Sequence, residues 1–173
     1  MDIVKKLNTL GKEVMSRYPY INHGGCCVYA AMVAEELHKH GIEAKGIVSA
    51  YGAKELNGNG ITLDNIRPGI KSNALEEWNK HGIRFNHVGV EFVIKKEGKR
   101  AIKKHYDSTG VKSASTELDH MPIYKGRLAL VDLKALARKR KGWNDSFNRR
   151  VIPELRKLVK AHLGVDKTAV PAV

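Results

Sequence analysis

The chain has 173 residues, 42% of them hydrophobic and 28% charged, which suits one domain with a real core and excludes a disordered or fibrous chain. Lys and Arg number 31 against 18 Asp and Glu, for a net charge of +13. That charge suits nucleic acid or another acidic partner, although a soluble protein with a basic surface is the commoner explanation. No apolar stretch reaches bilayer length, and "MDIVKKLNTLGKEVM" lacks the continuous apolar segment of a secretory leader, so a cytoplasmic protein without membrane contact is expected.

In chain order, residues 1–18 read as an amphipathic helix, with Ile3, Val4, Leu7, Leu10, Val14 and Met15 at helical spacing. "RYPYINHGG" is turn-rich and forms a loop. A mostly buried helix is expected from Cys26 to His40, stopped by Gly41. "IEAKGIVSAYG" reads as a strand. Residues 53–70, with their Asn-Gly and Pro-Gly pairs, read as a long loop at a functional rim. "SNALEEWNKHG" is a short helix capped by Ser72 or Asn73. "IRFNHVGVEFVI" and "KRAIKKHYDST" are two strands joined through "KKEGK", whose glycine suits a hairpin. Residues 111–131 look irregular, with "GRLALVDL" as a last strand or a lead into a helix. The chain is helical from about Leu133, and residues from about 165 to 173 form a frayed tail. The order implies an α+β domain spanning residues 1–173, a helix packed on a mostly antiparallel sheet.

Cys26 and Cys27 are the only cysteines. A disulfide between neighbours is strained, and two adjacent thiols fall short of a structural zinc site. A cysteine at a helix start is placed where unpaired N–H groups and the helix dipole stabilise a thiolate, and glycines before it let a substrate approach. A buried core cysteine is the commoner explanation of such a residue taken alone. A nucleophilic thiol also needs a base and an orienter. His87 starts one strand and Asp107 ends the other, and the 19 residues between them fit two strands and a tight turn. Helix cysteine, strand histidine and next-strand aspartate make a plausible Cys-His-Asp set.

These segments resemble the transglutaminase-like branch of the papain-like cysteine enzymes. "GGCCVYAAMVAEELHKHGIEAKGIV" is similar to the family's glycine-cysteine segment: counted from Cys26, Tyr29 and Ala30 fall three and four residues on and Gly41-Ile42 fifteen and sixteen. "NHVGVEF" resembles its His-x-x-Val-Glu strand, and "HYDSTG" its Asp-Pro-Thr segment, with Ser108 in place of the proline. The likeness covers residues 24–48 and 86–110, about 50 residues, and nothing after residue 111 matches. It implies a papain-like/transglutaminase-like core with extra C-terminal helices, and Cys26, His87 and Asp107 as nucleophile, base and orienting carboxylate. Arylamine acetyltransferases, related by fold, offer a register that selects Cys27 instead.

The implied reaction is thiolate attack on an amide or peptide carbonyl to give a thioester, released to water or to an amine. The substrate class is therefore a peptide or amide, within a protein. The oxyanion would be held by the Cys26 N–H and one upstream donor, Asn22 or His23, either of which otherwise caps the helix. No cofactor is implied, and "NGNG" is not a phosphate loop. His87, His105 and Asp107 as metal ligands are set aside, because the resemblance explains two of them; His105 is then a surface residue on a basic strand. His38 and His40 are expected to be solvated, and Glu91 to pair with a lysine or line the site. Trp78 and Trp143 read as core or edge-packing residues. "ARKRKGWNDSFNRR", residues 137–150, sets six Lys and Arg around two aromatics. It supports a second class of function, a non-enzymatic module binding nucleic acid or protein, although such runs are more often solvated helix faces.

Overall fold

The computed structural model describes residues 2–22, 24–51, 84–97, 100–114, 125–140 and 150–164. The expected loop at 53–70, the helix around Trp78, Trp143, most of the basic run at 137–150 and the tail from 165 lie outside the described residues.

Helix α1 spans Ile3–Arg17. Asp2 caps it, its Oδ1 accepting from the N–H groups of Val4 (3.1 Å) and Lys5 (3.2 Å), which satisfies two of the donors a helix start leaves open. Leu7, Leu10, Gly11 and Val14 form its buried stripe, at the spacing that one helix face requires. Helix α2 spans Cys26–Lys39, and all but three of its fourteen residues are buried. It ends in a Schellman turn: Gly41, at φ +70°, donates to the His38 carbonyl and Ile42 to that of Leu37, both at 3.0 Å. The two histidines at this end are not simply solvated. His38 Nε2 bonds the Ala44 carbonyl at 2.7 Å, and His40 Nε2 bonds that of Leu163, so one ring ties α2 to the chain just beyond its turn and the other to the C-terminal region.

The sheet has β1 (Ala44–Tyr51), β2 (Arg84–Glu97), β3 (Arg100–Asp107), β4 (Gly110–Ser113) and β5 (Lys125–Leu128), in the order β4-β3-β2-β1-β5 with every neighbouring pair antiparallel. The hairpin of β2 and β3 pairs Val90 with Tyr106 and Glu91 with His105. Strand β4 occupies a stretch expected to be irregular, and β5 falls at the start of the segment expected to be a last strand or a helix lead-in. Each has four residues, too few to show a period, and each takes its conformation from pairing with β3 or β1. Helix α3 (Leu130–Arg140) starts two residues after β5, so "GRLALVDL" is both a strand and a helix start. Helix α4 (Ile152–Leu163) has a proline in its first turn. The architecture is α+β, with four helices and one antiparallel sheet among the described residues.

One core joins α2 to the sheet, through Val88, Val90, Phe92 and Tyr106, and to the C-terminal helices, through Leu133, Leu136, Leu155 and Val159. Each fully buried leucine here is worth about 2 kcal/mol of transfer free energy. Helix α1 packs on α4 and on β4. This arrangement presents the start of α2 beside the start of β2 and the end of β3. No helix among the described residues is long and apolar enough to cross a membrane.

Candidate active site

Cys26 is the first residue of α2, and the residue before it, Gly25, has no side chain with which to cap the helix. The amides of the first turn therefore carry no bond from an N-cap carboxylate or hydroxyl. Of the two preceding glycines, Gly24 takes φ +99°, a conformation other residues resist, whereas Gly25 has ordinary helical angles. Cys26 and Cys27 are both buried, and neither is in a disulfide.

His87 lies near the start of β2 and Asp107 at the end of β3, one step beyond the registered pair Val90–Tyr106. Their side chains meet diagonally across the hairpin, His87 Nε2 donating to Asp107 Oδ2 at 3.2 Å. Both are buried. Burial works against a charged imidazole, but hydrogen bonds to Asp107 and Cys26, with their charges, outweigh it and raise the His87 pKa to about 9. The contact with Cys26 places the first of the two sulfurs at this ring. Since Nε2 holds Asp107, Nδ1 is the nitrogen left for the thiol.

Asp107 is tied on every side. Its Oδ1 accepts from the Thr109 N–H (2.8 Å) and hydroxyl (2.6 Å), and Lys112 Nζ reaches both oxygens at 3.3 and 3.1 Å. Burial pushes the carboxyl pKa up, but these donors, with His87, hold it well below the usual carboxylate range. Sequence reasoning missed both Thr109 and Lys112. The Thr109 bond had a signal, since an aspartate two residues before a threonine in a turn accepts from its N–H. Lys112 had none until β4 folded back.

Asn22 stands at the same end of the molecule. Its Oδ1 accepts from the Ser108 hydroxyl at 3.0 Å, and the N–H groups of Gly24 and Gly25 bond the carbonyls of Asn22 and Ile21, each at 3.0 Å. His23 lies outside the described residues. Gly11 of α1 backs the β3–β4 turn so closely that a Cβ there would sit 2.9 Å from the Ser108 carbonyl oxygen. Gly110 takes φ +114°, and Asn8 Oδ1 accepts from the Val111 N–H at 2.8 Å. Beneath the site, Tyr29 of α2 and Tyr106 of β3 join their buried hydroxyls in a hydrogen bond. Burial raises the pKa of both phenols, which stay neutral.

Glu91 and His105 occupy the same sheet face, Glu91 four residues along β2 from His87 and His105 two residues along β3 from Asp107. The expectation of a surface His105 is overturned: the ring is fully buried, and Nε2 bonds Glu91 Oε2 at 3.3 Å. Its basic neighbours in sequence concealed an inward-facing position on an alternating strand. Glu91 also takes Arg127 of β5 as a fork, Nε to Oε1 at 2.8 Å and an Nη to Oε2 at 2.9 Å, and Lys103 at 3.3 Å. Burial acts to raise the Glu91 pKa, but bonds from Arg127 and His105 lower it to about 2. Its role is pairing, with a lysine as expected and also with an arginine. Among the described residues no group of three or more His, Cys, Asp or Glu is arranged to hold a metal ion.

Comparison with protein-family models, with curated proteins and with solved structures finds no match. The class of protein is therefore argued from the fold and from this cluster of thiol, imidazole and carboxylate.

Proposed function

We propose that the protein is a cysteine-dependent hydrolase of amide or peptide bonds, built on a transglutaminase-like/papain-like core. The observation that carries this reading is the continuous contact from Cys26, at the uncapped start of α2, through His87 to the fixed carboxylate of Asp107. His87 takes the thiol proton, and the ion pair that results is favoured because Asp107 supports the imidazolium. The thiolate sulfur attacks the carbonyl carbon. The oxyanion that forms meets the Cys26 N–H and the Asn22 side-chain amide. His87 returns its proton to the departing amine as the C–N bond breaks, leaving a thioester. Water, deprotonated by His87, then attacks the thioester, and the acid leaves as the sulfur takes back a proton. An amine in place of water would give a new amide from the same intermediate, so acyl transfer is the neighbouring outcome of one mechanism.

A thiol-directed reagent at neutral pH tests the reading. Mass spectrometry should find Cys26 modified well before Cys27, with the reaction slowed by His87→Ala. Equal modification of the two sulfurs, indifferent to His87, would refute it.

A further inference from the structure

We propose that Ser108 is a positioning residue that sets the side-chain amide of Asn22 as an oxyanion donor, an inference that rests on the proposed acyl chemistry. An asparagine amide has one acceptor oxygen and two N–H donors. The Ser108 hydroxyl, donating at 3.0 Å, occupies the oxygen and so fixes which end of the amide meets the β3–β4 turn. The NH₂ end is left to donate elsewhere.

Ser108 is held firmly enough to impose this orientation. It is buried at 1% exposure. Behind it, the α1 backbone at Gly11 leaves no room for a Cβ next to the Ser108 carbonyl. On one side Asp107 binds both the N–H and the hydroxyl of Thr109, and beyond that Asn8 holds Val111. Asn22 is anchored in turn to the helix start, its carbonyl accepting from the Gly24 N–H and that of Ile21 beside it from the Gly25 N–H. One hydroxyl therefore joins the turn that carries the orienting carboxylate to the loop that precedes the nucleophile. In the family that the segment resembles, a proline stands at this place. Proline has no hydroxyl, so this bond belongs to the chain's departure from that pattern.

Two reagents separate positioning from mere structural support. p-Nitrophenyl acetate acylates a thiolate through a tetrahedral oxyanion: the S–C bond forms, the C–O bond breaks and p-nitrophenolate leaves. Iodoacetamide alkylates the same sulfur by displacing iodide, with no oxyanion. In a Cys27→Ser background, Ser108→Ala should slow the p-nitrophenolate burst by about 10²-fold while leaving alkylation unchanged. Asn22→Ala should match it, the double variant should be no slower than either, and Ser108→Thr, which keeps a hydroxyl, should recover the burst. Wild-type acylation of Cys26 with an undiminished burst in Ser108→Ala overturns the role of Ser108 alone. Equal slowing of both reagents also overturns it, by showing a structural defect. If wild-type Cys26 accepts no acyl group, the proposed function fails first and this inference with it.

Discussion

Two histidine–carboxylate pairs stand on one face of β2 and β3: His87 with Asp107 at 3.2 Å, and His105 with Glu91 at 3.3 Å. Each pair is buried, and each carboxylate also holds at least one cation. Their chemistry alone does not distinguish them. Their neighbours do. His87 sits at the strand end where α2 begins and has Cys26 against its ring. Glu91 sits mid-sheet, where Arg127 and Lys103 close over it and bond the same carboxylate that His105 bonds. On the proposed function the first pair exchanges a proton with a thiol, while the second, through Arg127, ties β5 to the hairpin. A histidine bonded to a carboxylate is thus a component whose use is decided by what else reaches it.

The sharpest way to break this contrast is to remove each imidazole in turn. At neutral pH His87→Ala should slow alkylation of Cys26 by about 10²-fold, measured by mass spectrometry, and His105→Gln should leave the rate nearly unchanged. Equal effects would make the two pairs functional equals. A smaller effect, on stability, should run the other way. Glu91→Ala removes the carboxylate that the buried His105 ring and the half-exposed Arg127 fork share, and should cost about 2 kcal/mol in urea unfolding, with alkylation of the folded protein intact. Loss of reactivity without loss of stability would reverse the assignment.

The last effect is in pH. The pKa of His87 is about 9 in the folded chain against an ordinary 6.5. A group whose folded pKa is raised contributes its full stabilisation below the unfolded value and loses it as pH rises through the folded one. The gap in urea midpoint between wild type and His87→Gln should therefore be widest below pH 6.5 and close by about pH 9, a change of at most about 3 kcal/mol. Glu91 acts with the opposite sign: its pKa is lowered to about 2 from 4.5, so its contribution is whole above 4.5 and fades as pH falls toward 2. A wild-type gap that stays constant from neutral to alkaline pH would show that His87 is not charged in the folded state.

How much of this was legible in the sequence depends on how far each feature reaches. Helices α1 and α2 and the β2–β3 hairpin carry their own periodicity and stop signals, so their bounds follow within a few residues. That His87 and Asp107 stand on neighbouring strands was legible from the short connection, but their sharing one sheet face was not, because it depends on the one-residue register shift between Val93 and Lys95. Strand β4 was not legible, and β5 was legible only as one of two alternatives for "GRLALVDL", because four residues carry no period and their state comes from a neighbour. His105 was misjudged because charge nearby in sequence says little about which strand face is covered. The bond of Ser108 to Asn22 spans 86 residues, and the Arg127 fork crosses β1 to reach β2, so both exist only once the sheet has assembled.

Helix α2 is bracketed by two glycines in left-handed conformation, Gly24 and Gly41, with fourteen helical residues between the turns they make. Its length is therefore also its phase. Each residue advances a helix by about 100° and 1.5 Å, so with the C-terminal part of α2 held in the core, a single-residue insertion directly after Cys27 would move Cys27 into the place beside His87 that Cys26 holds now. A single-residue deletion further along would put Gly25 there and leave no sulfur at all. The adjacent cysteines give this helix a tolerance to lengthening that it lacks toward shortening, an asymmetry to look for wherever insertions and deletions accumulate in related chains.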